Sequence, residues 1–436
     1  MSEQAGAPAA AGLPPQHAAQ GFDDNPLGVL QEGHRQHGPV FRMTVDGAET
    51  VLVGTWAGLG ELFAAERGQL EVLNTPLVHD LFGSALFNLA GDRHVEARRR
   101  LRPVLSGREL PGYVPSLLEV MGPVAALWEQ RGVGDLYTAV RALTGALSAR
   151  VLLGIDPGET DATVFAADFE RFVAATSAPP GWRRFTTSRY WVGRAARRRL
   201  HTLFSRRAHV SAAEPRTGSA LADLVAAFED VPEAAGQLPD HLLALLIAAR
   251  ETTASLITWC LVELAGNRRH AVLAAAEAHA AMASPELLTR RGALPVLRAV
   301  LTETQRLHSP NLLSVREAVC PVELGGFRIP AGARVAYSPS AGHFDPDVFP
   351  QPHAFRPGRY LAQQERSARL RAFGGGAHAC LGRPLAELMT LAVMASVLHR
   401  GLPRLLGSPP GRIRYRPAKA PLAPVALVLD SQESAS

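Results

Sequence analysis

The sequence predicts a single domain, mainly α-helical with a small β portion, on three observations. From Trp56 to about His308 apolar residues recur at helical spacing, interrupted by Pro and Gly clusters. Within that region His241–Ala265 is apolar on almost every side, the pattern of a long, buried central helix. After His308 the texture changes to short β-rich runs separated by Gly and Pro.

Each element follows in order. Residues 1–20, rich in Ala, Pro and Gln, and the tail Ser431–Ser436 read as disordered, which leaves 21–430 as the folded domain. Pro39–Val45 and Glu49–Gly54 flank Asp46-Gly47, a hairpin signal. The central helix starts at Pro239-Asp240 and stops at Gly266-Asn267, and it spans roughly 38 Å, enough to cross the domain. Leu294–His308 is a further helix, and Leu312–Val319, Val322–Ile329 and Arg334–Tyr337 are short strands. Phe344–Gly376 is Pro- and Gly-rich with little periodicity, and a structureless stretch of that length inside a domain is usually functional. Pro384–His399 then reads as a helix. There is no internal repeat and no linker that would split the chain.

Composition narrows the function. The chain has 436 residues, 47% of them hydrophobic, enough for a sizeable core. Its 45 basic and 40 acidic residues leave a formal charge of +5, too small an excess for an obvious nucleic-acid binder, and no basic run alternates with aromatics. Lys419 is the only lysine; the abundance of Arg and Ala points to a GC-rich coding genome and a bacterial source. Three widely spaced cysteines, Cys260, Cys320 and Cys380, argue for a reducing compartment and against a disulfide framework or zinc site. No signal peptide and no window of about 20 uninterrupted apolar residues is evident, so the expectation is a cytoplasmic protein without a membrane anchor.

The most specific signal is the run from Phe373 through Gly374, Gly375, Gly376, His378 and Cys380 to Gly382. Glycines let the backbone fold under a flat cofactor, and a helix start after the cysteine supplies N–H donors that keep a sulfur anionic. Phe373 can shield that sulfur from water, and His378 can reach a carboxylate. A buried cysteine in a Gly-rich turn is the ordinary alternative. This segment resembles the haem-binding loop of the cytochrome P-450 family, Phe-x-x-Gly-x-Arg/His-x-Cys-x-Gly, in its soluble bacterial type. The resemblance implies a single cytochrome P-450-like domain with the long helix over haem b, Cys380 as the axial thiolate, and His378 at a propionate.

Further motifs fall in the family's order. Glu303 and Arg306 share a helix face and resemble its Glu-x-x-Arg pair; Phe355–Arg359 resembles its aromatic-Pro-Arg segment, so that Arg359 would complete a buried triad. Ala248, Ala249, Arg250, Glu251 and Thr252 resemble the oxygen-activation motif, with Thr252 and Glu251 delivering protons. Ala249 stands where the family usually has Gly, and its methyl narrows the groove that glycine leaves. His94 and Arg98, spaced i,i+4, resemble the family's propionate-binding pair, and Arg316 matches a third propionate position. A plain solvated basic helix, with Arg99, Arg100 and Arg102 alongside, is the alternative for His94–Arg98. The nine arginines of Arg183–Arg207 read as a solvated helix face.

The resemblance implies a monooxygenase that inserts one oxygen atom from O2 into a hydrophobic or amphipathic small molecule, in secondary metabolism by analogy. Leu77–Leu89, Phe169–Ala178, Leu245–Ala249, Leu312–Val315 and Pro421–Val425 would line its pocket. The thiolate would donate electron density that favours O–O cleavage. The chain carries no flavin or iron–sulfur domain of its own, so the implied electron donors are a ferredoxin and its reductase. Arg99, Arg100, Arg102, Arg366, Arg369 and Arg371 would form the docking patch. Two alternatives remain at this stage: a haem-thiolate peroxygenase or isomerase, against which the Glu251-Thr252 pair argues, and a non-catalytic haem sensor, for which no partner domain is visible.

Overall fold

The computed structural model describes residues 12–177, 188–230, 232–361 and 370–431. The chain forms two compact units, each assembled from separate stretches: Met1–Leu73, Asn311–Ala354 and Ala368–Cys380 make the first, and Asn74–Pro310, Phe355–Ser367 and Leu381–Ser436 the second.

The first unit holds the β portion. Strands β1 (Val40–Val45) and β2 (Ala48–Val53) form the expected hairpin, with Asp46 and Gly47 both at positive φ, 52° and 75°, as a tight two-residue turn demands. With β3 (Leu70–Val72), β4 (Ser314–Ala318) and β7 (Arg334–Tyr337) they make a five-stranded sheet in the order β1-β2-β7-β4-β3, in which β2 and β7 run parallel. The run Val322–Ile329, expected as one strand, is a hairpin of β5 (Val322–Leu324) and β6 (Phe327–Ile329). Gly325 and Gly326 lie between them at φ 58° and 80°, a left-handed pair that turns the chain back on itself. The helix Trp56–Ala65 is capped by Thr55, whose hydroxyl accepts from Gly58 N. It packs Leu59, Leu62 and Phe63 against Val40, Val53, Leu324 and Val335.

Disorder was expected for residues 1–20. Positions 1–11 lie outside the described residues, but beyond them the backbone is pinned to β1: His17 N donates to Arg42 O, and Arg42 N to Pro15 O. Of the expected tail, 432–436 likewise lie outside.

The second unit is helical and is built around Leu238–Gly266, a 29-residue helix with Pro239 in its first turn. Leu136–Leu153, Arg189–Ala213, Pro295–Leu307 and Arg383–Arg400 pack against it. Its apolar side chains enter one large core that includes Leu242, Leu256, Ile257 and Leu261. In its middle third the exposure falls on Leu245, Ala248, Ala249 and Thr252, spaced i, i+3, i+4, i+7, with Ile247 half-buried beside them. The sole lysine, Lys419, closes the far end of the helix. Its Nζ donates to Leu307 O at 2.7 Å, and its own carbonyl accepts from Ser255 Oγ and Trp259 Nε1.

One expectation changes here. The arginines of Arg189–Ala213 do more than coat a solvated face: Arg199 grips Asp168 through two bonds, Arg207 meets Glu159, and Arg197 meets Asp240 of the central helix. Three helices, Leu110–Arg131, Leu136–Leu153 and Glu233–Gly266, are long and apolar enough to cross a membrane by length and composition. In the fold, 67% and 72% of the most apolar windows of the latter two are buried, so their apolarity serves packing.

Candidate active site

In the first unit the cysteine loop is a folded backbone held at its base. Cys380 N donates to Phe373 O at 2.9 Å and Gly374 N to Arg371 O at 2.8 Å. Gly374 and Gly376 are left-handed, with φ 69° and 64°. Side chains would also collide: a Cβ on Gly374 would stand 2.9 Å from Tyr337 Oη, one on Gly375 2.5 Å from the Phe63 ring, and one on Gly376 2.8 Å from Phe63 O. Gly374 and Gly376 are therefore required by two independent constraints and Gly375 by the steric one, and the loop is moulded onto the helix Trp56–Ala65. Arg371 adds to the seam, its guanidinium 4.9 Å from the Trp56 ring centre and 5.5 Å from that of Phe63, while its backbone N–H donates to His343 Nε2.

The three thiols are not equivalent. Cys260 is fully buried and burial pushes it up to about 12, which keeps it a neutral packing residue. Cys320 is half-buried and Cys380 is exposed. Arg316 of β4 and the backbone of His378, two residues before Cys380, converge on Glu66. Glu66 Oε1 accepts from Arg316 Nε (2.9 Å) and Nη2 (2.8 Å), and Oε2 accepts from His378 N (3.4 Å). Glu66 was not singled out from sequence. The signal was present as a helical stripe, Trp56, Leu59, Phe63 and Glu66, an acid continuing a buried face.

In the second unit Thr252 is exposed on the central helix, and its hydroxyl donates to Ala248 O at 2.7 Å. Ala249 lies on the same stripe, half-buried. Glu251 is buried on another face and is fully engaged. Tyr137 Oη donates to its Oε2 at 2.9 Å, Arg141 Nε and Nη2 to its Oε1 at 2.9 and 2.8 Å, and Arg250 stands 3.3 Å away. Burial, then the Glu251 charge, pushes the Tyr137 phenol up to about 12, so it serves as a donor and not as an anion. Arg250 continues outward to Glu170. Glu251 is thus an anchored carboxylate, not one beside the Thr252 hydroxyl. Tyr137 and Arg141, spaced i,i+4 on Leu136–Leu153, were missed because their partner lies more than a hundred residues away.

His94, buried, and Arg98, half-buried, share one face of the helix Gly91–Leu105. Gly382 is the N-cap of Arg383–Arg400. The triad assembles in this unit. Arg306 meets Glu303 through Nε (2.9 Å) and Nη2 (2.8 Å), Arg359 Nε meets it at 3.1 Å, and Arg356 N donates to it at 2.9 Å. The docking patch fares otherwise. Arg99 is paired with Glu96, while Arg100 is buried and committed to Asp230, Glu96 and the Ala227 carbonyl; Arg366 and Arg369 lie outside the described residues. With Arg100 buried and its charge offset by Glu96 and Asp230, it presents little positive charge to a partner and does not form part of that surface.

Among the described residues no group of three or more His, Cys, Asp and Glu gathers as a metal cage. The donor chemistry fits an iron porphyrin instead: one accessible thiol on a glycine loop, with arginine and histidine side chains suited to propionates.

The comparisons agree with this chemistry. The cytochrome P-450 family profile matches residues 15–400, and the chain belongs to that family. It is an oxidoreductase of the monooxygenase class, in a family whose haem is held by a cysteine thiolate and which acts on small molecules with electrons from redox partners. It is 28% identical to cyclooctat-9-en-7-ol 5-monooxygenase of Streptomyces melanosporofaciens over 73% of this chain and 72% of that protein. It is 24% identical to abscisic acid 8'-hydroxylase 2 of Oryza sativa subsp. indica over 95% and 84%. Retinoic acid bound cyanobacterial CYP120A1 shares the fold with a TM-score of 0.83 at 22% identity, covering 96% of this chain and 99% of that one.

Proposed function

We propose that this chain is a cytoplasmic haem b monooxygenase of secondary metabolism, with Cys380 as the iron ligand and a ferredoxin and its reductase as electron donors. Its substrate is a hydrophobic or amphipathic small molecule. The observation that carries the reading is the cysteine loop: an exposed thiol on a backbone that three obligatory glycines and the Cys380 N–Phe373 O bond hold in place. Haem, when bound, supplies the oxygen activation and redox chemistry. The chain supplies the rest. Phe373, Gly374 and Gly382 shape the loop, and His94, Arg98, Arg316 and His378 are the propionate partners. The stripe of Leu245, Ala248, Ala249 and Thr252 presents an apolar surface with one hydroxyl, where a substrate is oriented and Thr252 hands on a proton. Glu251, fixed by Tyr137 and Arg141, sets the charge behind that stripe and takes part in delivery once it leaves one of those partners. The relatives' names record oxidation of cyclooctat-9-en-7-ol and of abscisic acid, which supports a small organic substrate here as well.

The test is oxygen uptake with NADH, a ferredoxin and its reductase, over a library screened by haem absorbance shift. Uptake with a product heavier by one oxygen atom is expected. Turnover with hydrogen peroxide alone, and none with O2 and reductant, contradicts the reading in favour of a peroxygenase. In Thr252→Ala, substrate binding should persist while product per NADH falls roughly tenfold or more; unchanged coupling removes Thr252 from proton delivery.

A further inference from the structure

Glu66 is the C-cap residue of the helix Trp56–Ala65, and its side chain has 0% exposure. A carboxylate stripped of water costs several kcal/mol unless it is paired and hydrogen-bonded. Here both oxygens are used, toward different elements. Oε1 takes Nε and Nη2 of Arg316, itself 5% exposed, on β4. Oε2 takes the backbone N–H of His378, and the carboxylate also takes that of its neighbour Ala377, in the turn that runs into Cys380. The far side of the same cluster also touches the loop. The Arg316 guanidinium lies 5.3 Å from the Tyr337 ring centre, and Tyr337 Oη occupies the space that a side chain on Gly374 would need. A side chain on Gly376 would collide with Glu66 Oε2. Helix, strand and loop are thus joined through one carboxylate, and the loop's two left-handed glycines are the positions where it closes on that cluster.

We propose that Glu66 is a positioning residue for the cysteine ligand. Its Oε2 clasps the turn immediately before Cys380, and Arg316 is its counter-ion first and a propionate partner second. The inference rests on Cys380 being the ligand. Arg316 gives three of its N–H groups to Glu66 Oε1 and the Val315 carbonyl, so the positive charge it brings is largely balanced before any cofactor carboxylate arrives. The division of labour also explains why a neutral stand-in cannot serve. An amide has a single acceptor oxygen, so glutamine satisfies the arginine or the loop but leaves the other side facing an N–H donor.

The experiment uses the haem-loaded full chain. Wild type, Glu66→Gln, Glu66→Ala and Leu52→Ala are compared by the Soret band of the reduced carbon monoxide complex and by melting temperature. Leu52, 1% exposed in the sheet, serves as the control, because its truncation loosens the unit without touching the clasp. A lost ligand-positioning contact should convert the thiolate band to a non-thiolate one about tenfold or more faster than in wild type, in both Glu66 variants. Leu52→Ala, at a comparable melting temperature, should hold the wild-type band. Equal persistence in wild type and both Glu66 variants overturns the inference, and so does equal loss in Leu52→Ala, which would make Glu66 a structural residue only. A wild-type protein with no thiolate band would instead overturn the ligand assignment itself, a separate result.

Discussion

At the scale of single residues, burial decides which groups carry charge. His241 is 1% exposed in the first turns of the central helix, and its Nδ1 accepts from Leu86 N at 3.1 Å. Desolvation pushes it down to about 4 from the usual 6.5, with Asp240 opposing, so it is neutral at pH 7. The folded value lies below the unfolded one, so the stabilisation is complete above pH 6.5 and is lost as pH falls toward 4. The shift corresponds to on the order of 3 kcal/mol across that window. In His241→Asn the amide oxygen still accepts from Leu86 N but takes up no proton. Urea midpoints measured between pH 7.5 and 4.5 should therefore fall less steeply in the variant than in the native chain. Parallel slopes would show that His241 is not a proton-linked contributor.

At the scale of elements, the helix Pro295–Leu307 and the short helix Gly358–Leu361 are joined through the Glu303 carboxylate. Arg306, Glu303 and Arg359 are all essentially unexposed. Removing one partner leaves a buried charge poorly compensated and costs about 3–5 kcal/mol. Arg306→Leu should thus lower the yield of folded, haem-loaded protein sharply, whereas Arg383→Leu, which breaks the exposed Arg383–Glu387 pair, should cost about 1 kcal/mol or less. Similar urea midpoints for the two variants would contradict the structural weight given to the triad. This element was legible in sequence because Glu303 and Arg306 are three residues apart and Arg359 follows in a recognisable segment. The central helix was legible for a related reason: its apolar composition is continuous and its ends carry Pro and Gly. Glu66 was not, since its partners Arg316 and His378 lie 250 and 312 positions away, a separation that no local pattern carries. Arg100 misled for the opposite reason. It stands in a basic run, and nothing local announces Asp230, 130 residues on.

At the scale of the molecule, the chain enters each compact unit three times, and the cysteine loop ends where one such crossing occurs, between Cys380 and Leu381. A ligand at that position depends for its placement on two long-range contacts, the glycine seam on Trp56–Ala65 and the Glu66 bond to His378 N, and on the local closure of Cys380 N on Phe373 O. Family membership is shown by the profile over residues 15–400, while the assignment of the ligand to Cys380 rests on this loop. The most direct measurement is the absorption spectrum of the haem-loaded, reduced protein under carbon monoxide, for the native chain and for Cys380→His. The native chain should give the strongly red-shifted Soret band of thiolate ligation, and Cys380→His should lose it while Cys260 and Cys320 remain in place. A red-shifted band that survives in Cys380→His would contradict the assignment and move the ligand elsewhere.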